Sequence, residues 1–181
     1  ALSKAESGCY LAPLRLLASE LFDTLNDKEV PTSLLTGEEV IHMDSATHFS
    51  STIEMARLDE EFKCAVIDEI QMITDPQRGW AWTRALVNLN ADEVHLCGDP
   101  SVLELVKRIL SLTGDTLEIC EYERKTELTV AKDQIKLVEM KKHDALIVFS
   151  RRNALKFKRD LENLNYKVSI VYGRLSPEVR R

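Results

Sequence analysis

The chain has 181 residues, 44% of them hydrophobic and 30% charged, with 24 Lys plus Arg against 30 Asp plus Glu and a formal net charge of −6. That length suits one ordinary domain, or one domain with part of a second. The composition supports a buried core and excludes general disorder, the acidic total argues against a sequence-independent nucleic-acid coat, and no apolar run reaches the roughly 20 residues that cross a bilayer.

The opening stretch, ALSKAESGCYLAP, lacks the basic segment and long apolar run of a signal peptide. It also lacks an initiator methionine and opens as if mid-helix, so a fragment or processed chain is expected. GCYLAP is a short apolar strand ended by Pro13. LRLLASELFDTLND then places Leu14, Leu17, Ala18, Leu21, Phe22 and Leu25 at helical spacing. VPTSLLTG reads as a second strand ending at Gly37, whereas THFSSTIEMARL is ambiguous between strand and helical turn. KCAVIDE is the clearest buried strand.

Further along, GWAWTRALVNLN reads as a helix with Trp80, Thr83, Ala85 and Leu86 on its packed face. ADEVHLCGDP is another strand, and SVLELVKRILSLTG a helix capped by Ser101 and stopped by Gly114. DTLEICEYER looks extended. After a charged stretch of mixed pattern, ALIVFS, RRNALKFKRDLENLNY and KVSIVYG read as strand, helix, strand. Strands alternating with helices imply βαβ units and a mainly parallel sheet, covered on both faces.

The four cysteines, Cys9, Cys64, Cys97 and Cys120, contain no CxxC pair, so no zinc site is expected. Cys9, Cys64 and Cys97 lie in apolar runs and read as small buried hydrophobes; a reducing compartment follows. His95, inside an apolar strand, reads as a core histidine. Basic residues cluster late, at Lys141, Lys142, Arg151, Arg152, Lys156, Lys158, Arg159, Arg174, Arg180 and Arg181, as on a solvated helix face.

The chemistry concentrates in CAVIDEIQ. An apolar strand ends in adjacent carboxylates, Asp68 and Glu69, with Gln71 two residues on. In nucleotide-hydrolysing α/β proteins such a strand delivers an acid to Mg²⁺, and a second acid activates the attacking water. The residues alone leave open a solvated strand end. Gln71 suits sensing a γ-phosphate, holding a neighbouring loop, or a surface amide. Pro13 and Arg15 follow the first strand, where an Arg and helix-opening N–H groups can meet a phosphodiester. Thr36, Gly37, Thr52 and Glu54 sit at similar element ends and serve equally as caps or turn residues. No phosphate cradle of the form GxxxxGK[ST] occurs in the chain, so weak or no ATP hydrolysis is expected from it alone.

The order YLAPLRLLASE, SLLTGEE, STIEMA, VIDEIQMITDPQRGWAWTRAL and EVHLCGDPS resembles the suppressor-of-Var-type RNA helicases of superfamily two, mitochondrial degradosome enzymes with bacterial relatives. ALIVFSRRNAL and VSIVYGRLSPEVRR resemble the opening of that family's second domain. The resemblance implies an α/β RecA-like parallel sheet flanked by helices and lacking its phosphate-loop segment over residues 1–120. A connection over 121–141 and the start of a second RecA-like domain over 142–181 follow. It implies ATP and Mg²⁺ as cofactors and 3′-to-5′ unwinding of RNA for an exoribonuclease partner. It implies the mitochondrial matrix as compartment in a eukaryote, or the cytoplasm in a bacterium. It assigns Asp68 to the metal, Glu69 to water activation and Gln71 to the same box. Pro13, Arg15, Thr36, Gly37, Thr52, Ser150 and Arg151 are assigned to nucleic-acid contact. The phosphate loop is expected before Ala1 and the arginine finger after Arg181. The residues by themselves also admit a non-catalytic RNA- or partner-binding module, or a different α/β NTPase.

Overall fold

A computed structural model describes residues 1–123 and 126–173. The chain divides into two units, Ala1–Ile119 and Cys120–Arg181. The first holds six strands: β1 (Gly8–Ala12), β2 (Thr32–Leu35), β3 (Val40–Ile41), β4 (His48–Thr52), β5 (Glu61–Ile67) and β6 (Asn90–Leu96). They form one sheet in the order β3-β2-β4-β1-β5-β6. All neighbours pair in parallel except the short β3, which turns back antiparallel on β2.

This order dictates where a ligand crevice lies. The chain leaves β1 through helix α1 (Arg15–Asn26) toward β2, away from β5. It leaves β5 through helix α2 (Gly79–Asn88) toward β6, away from β1. The two connections diverge from neighbouring strands, so the switch point falls between β1 and β5, and open α/β sheets bind ligands outside the strand carboxyl ends there. The opposite crossings also put the helices on opposite faces. Cys9, Leu11, Ala65 and Ile67 pack with Ala81, Trp82 and Ala85 of α2 and with Val106 and Leu110 of helix α3 (Leu103–Thr113). On the other face, Leu25 of α1 packs with Leu2 and Cys64, and Tyr10 and Val66 join them.

The ambiguous HFSST segment is the buried strand β4. Two of its buried polar side chains, His48 and Ser50, are held by hydrogen bonds that offset their desolvation. Ser50 donates to the Ala18 carbonyl at 2.6 Å, while His48 sits between the Thr47 hydroxyl at 2.8 Å and the Leu2 carbonyl at 3.1 Å. Asn26 ends α1 and exchanges hydrogen bonds with the backbone of Thr32, fixing the entry to β2.

Several expectations shift. The packed face of α2 keeps Ala85 and the half-buried Leu86 but also takes Gly79, Ala81 and Trp82, while Thr83 and Trp80 are exposed and Trp80 stacks under the Arg84 guanidinium. Helix α3 is opened by Asp99 rather than Ser101: the Asp99 carboxylate accepts from the Ser101 N–H at 2.8 Å and caps a 3-10 turn leading into α3. Gly114 ends α3 in the left-handed region, as its position suggests. Cys97 is exposed, because β6 ends one residue earlier and the chain turns outward. Cys9 is buried, and burial pushes its thiol up to about 12. His95 is no core residue. It stands on the edge strand β6 with its Nε2 3.2 Å from Glu93 Oε1, and the pairing Cys64↔Glu93 brings Cys64, Glu93 and His95 within 4.8 Å of one another.

In the second unit, helix α4 (Arg151–Asn163) forms as expected, and Ser150 caps it by accepting from Asn153 N–H at 3.2 Å. The runs 145–149 and 168–171 carry no strand pairing. They lie along one hollow with Ala154, Phe157 and Leu161 of α4. DTLEICEYER likewise forms no strand over its described residues. Arg151, Arg152, Lys156 and Arg159 are exposed along α4, and Arg174, Arg180 and Arg181 lie outside the described residues.

Candidate functional site

Because β1, β2, β4 and β5 run parallel, their carboxyl ends share one edge of the sheet. Leu11 pairs with Ile67, Ala12 with Thr52, and Leu35 with Ser51. The residues that follow those pairs are Pro13 and Arg15, Thr36 and Gly37, and Asp68, Glu69 and Gln71. Eight residues singled out from the sequence are thus gathered on one edge, with Thr52 closing β4. Ser150 and Arg151 belong to the second unit, where Arg151 lies 4.9 Å above the Tyr172 ring.

The acid turn is fastened from several directions. Asp68 N–H donates to the Leu11 carbonyl at 3.1 Å, and the Asp68 carbonyl accepts from the buried Trp82 indole at 2.9 Å. Asp68 Oδ1 accepts from Glu69 N–H at 3.0 Å, and Oδ2 from the Tyr10 hydroxyl at 2.6 Å. Burial and the adjacent Asp68 carboxylate raise the Tyr10 phenol well above its ordinary range, so it is a donor at any working pH. Glu69 turns the chain out of the strand in the left-handed region, at φ 51° and ψ 52°. A non-glycine residue there carries strain that clusters at functional sites.

Gln71 spans two segments. Its Nε2 donates to Glu69 Oε2, and its Oε1 accepts from Asp99 N–H at 3.0 Å. The amide therefore fastens the acid turn to the turn after β6. Gly98 permits this closeness, and Gly79 a second one between the start of α2 and Ile73. A Cβ on Gly98, whose φ is 154°, would collide with Gln71 Oε1 and with Ile70 N, and one on Gly79 would strike the Ile73 carbonyl.

The nucleic-acid candidates are more mixed. Arg15, 42% exposed, forms an ion pair with Glu38. Thr36 is buried with its hydroxyl engaged in its own turn, accepting from Glu39 N–H at 3.0 Å and donating to the Glu39 carbonyl at 3.1 Å. Gly37 is exposed beside the Arg15 guanidinium, and Thr52 is buried.

Residues 1–122 match the DEXQ-box helicase domain of Suv3. The chain belongs to the Suv3 helicase family. It is 46% identical over 180 residues to the mitochondrial ATP-dependent RNA helicase SUV3L of Oryza sativa subsp. japonica, covering 98% of this chain and 24% of that protein. It is 44% identical over 187 residues to the mitochondrial ATP-dependent RNA helicase SUV3 of Saccharomyces cerevisiae, covering 99% of this chain and 25% of the relative. The chain thus spans about a quarter of the curated relatives it matches. Among solved structures, a Saccharomyces cerevisiae Dbp5 variant bound to RNA and ADP BeF3 superposes with a TM-score of 0.61 at 15% identity, over 97% of this chain and 53% of that one. That likeness shows the RecA-like α/β fold.

Two parts of this Suv3-type domain escaped the sequence reading. Arg78 donates through Nε to Glu54 Oε1 at 2.8 Å and through Nη2 to the Pro13 carbonyl at 2.7 Å, with its guanidinium 5.2 Å from the Trp82 ring. It joins the turn after β1 to the approach to α2, 65 residues apart in sequence. Tyr10 is the other. Neither has a local spacing signal; tertiary contact alone brings Tyr10 to Asp68 and Arg78 to the Pro13 carbonyl.

Proposed function

We propose that the chain supplies the acid-bearing part of a motor that uses ATP and Mg²⁺ to move 3′-to-5′ along RNA. Its unwound product would feed an exoribonuclease partner during RNA degradation. Residues 1–120 are assigned to the first RecA-like domain, 121–141 to the connection and 142–181 to the start of the second. Membership of the Suv3 family supports the ATP and RNA parts. The mitochondrial names of the curated relatives support the mitochondrial matrix in a eukaryote, with the cytoplasm as the bacterial counterpart.

The observation that carries the reading is the acid turn at the switch point, locked to the β6 turn by Gln71. The donor set fits a hard divalent cation. Two carboxylates stand side by side, and each oxygen of Asp68 has one hydrogen bond from the described residues, which leaves acceptor capacity on both. Bound Mg²⁺ would neutralise phosphate charge as it develops. Asp68 is assigned to orient that ion through water. Glu69 Oε2 is held by Gln71, so Oε1 is the atom assigned to take the proton of the attacking water. No GxxxxGK[ST] segment occurs in these 181 residues, and the acids are assigned the metal and water side of the site alone. Along the same edge, Arg15 and the turn at Gly37 are assigned to the RNA backbone. Ser150 and Arg151 are assigned the equivalent contact from the second unit.

Glu69→Gln in a full-length helicase containing this chain tests the reading. ATP turnover should fall about 10²- to 10⁴-fold while nucleotide affinity stays within a few-fold. Turnover at the unmutated rate would remove Glu69 from its role.

A further inference from the structure

We infer that Tyr10 is a positioning residue for Asp68, its hydroxyl setting the carboxylate's orientation toward the metal–nucleotide complex. The inference rests on the role assigned to Asp68 above. β1 and β5 are adjacent, and Tyr10 pairs with Val66. Tyr10 therefore stands two residues short of Asp68, on the α1 face of the sheet. A tyrosine is long enough to cover that offset, and its hydroxyl donates to Asp68 Oδ2 at 2.6 Å. A shorter side chain at this register would not reach.

The hydroxyl completes a cage. Asp68 is fixed at its backbone N–H by Leu11, at its carbonyl by Trp82, at Oδ1 by Glu69 N–H and at Oδ2 by Tyr10. The first two hold the main chain, and Oδ1 is held by the residue next door. Tyr10 is the contact that ties the carboxylate plane to a different strand. Without it the carboxylate can swing about the bond to its Cβ while the turn stays folded. A hydrogen bond from a neutral hydroxyl to a carboxylate is among the stronger kinds, and groups that orient metal ligands commonly change metal affinity or activity about 10- to 100-fold when lost.

Tyr10→Phe keeps the ring, and hence the packing against Leu2, Leu25 and Val66, and deletes one oxygen. The variant is made in a full-length helicase containing this chain, and RNA-stimulated ATP turnover is followed across a Mg²⁺ titration, beside Asp68→Asn. The proposal expects kcat to drop about tenfold, the Mg²⁺ concentration for half-maximal turnover to rise several-fold, and metal-free nucleotide binding and RNA affinity to hold. Unchanged turnover and Mg²⁺ dependence in Tyr10→Phe, with Asp68→Asn inactive, would overturn the role of Tyr10 and leave that of Asp68 standing. Full activity of Asp68→Asn would overturn both. A variant that melts at much lower temperature and loses turnover at unaltered Mg²⁺ dependence would assign the hydroxyl to stability and overturn the inference.

Discussion

At the scale of single residues, burial decides what each polar group can do. His48 is 1% exposed. Its Nε2 faces the Leu2 carbonyl, which can only accept, so Nε2 carries the proton and Nδ1 accepts from the Thr47 hydroxyl. Burial lowers its pKa, against a smaller opposing effect of the Leu2 carbonyl. The unfolded chain then binds a proton near pH 6.5 that the folded chain refuses. Stability from this group is complete above that pH and is lost as pH falls through it, with a slope of at most about 1.4 kcal/mol per pH unit. Denaturant unfolding at a series of pH values should show the decline between pH 7 and pH 5, and His48→Gln should flatten it. An identical slope in the variant would locate the proton uptake elsewhere. Nothing in THFSST shows that its histidine is buried. The acids of VIDEIQ were legible because an apolar strand run ended on them, whereas Tyr10 and Arg78 were not, since their partners lie 58 and 65 residues away.

Elements were legible where their pattern was local and hidden where neighbours set it. β5 declares itself by a continuous apolar run, and α4 by its spacing and its serine cap. Helix α2 does not. Its aromatic pair invites a face through Trp80, yet the sheet receives Trp82, because Gly79 and Ala81 are small enough for the helix to approach the chain at Ile73. Trp82 is thus both the largest fully buried side chain and the donor that holds the Asp68 carbonyl. Trp82→Phe would leave a small cavity and an unpaired carbonyl, costing about 2–4 kcal/mol. Chemical denaturation should give that loss. A shift below about 0.5 kcal/mol would mean the turn at Asp68 is held without the indole. The runs 145–149 and 168–171 have strand composition without strand pairing. Composition states a preference, and a ladder also needs a partner at the right register.

For the whole molecule, one edge of a parallel sheet carries both assigned chemistries. The acids sit after β5 at the switch point, and Arg15 sits after β1, one strand along. With an overall charge of −6, an RNA contact depends on local positive charge. Arg15 already has an anionic partner in Glu38, whose side chain is 40% exposed. An RNA phosphate must compete with that carboxylate for the same guanidinium. The pair is solvent-exposed, so it is worth roughly 0–1 kcal/mol, and breaking it costs the fold little. Two substitutions should then move RNA affinity in opposite directions. Arg15→Ala should weaken binding and reduce the slope of log K against log salt by about 1. Glu38→Gln should strengthen binding by up to about fivefold at low salt, with the gain shrinking as salt rises. Single-stranded RNA titrated into a full-length helicase containing this chain, at several salt concentrations, reads both. If neither substitution changes affinity, Arg15 serves only its ion pair with Glu38. If Arg15→Ala weakens binding and Glu38→Gln does not strengthen it, the RNA displaces the carboxylate without cost, and the arginine alone belongs to the contact.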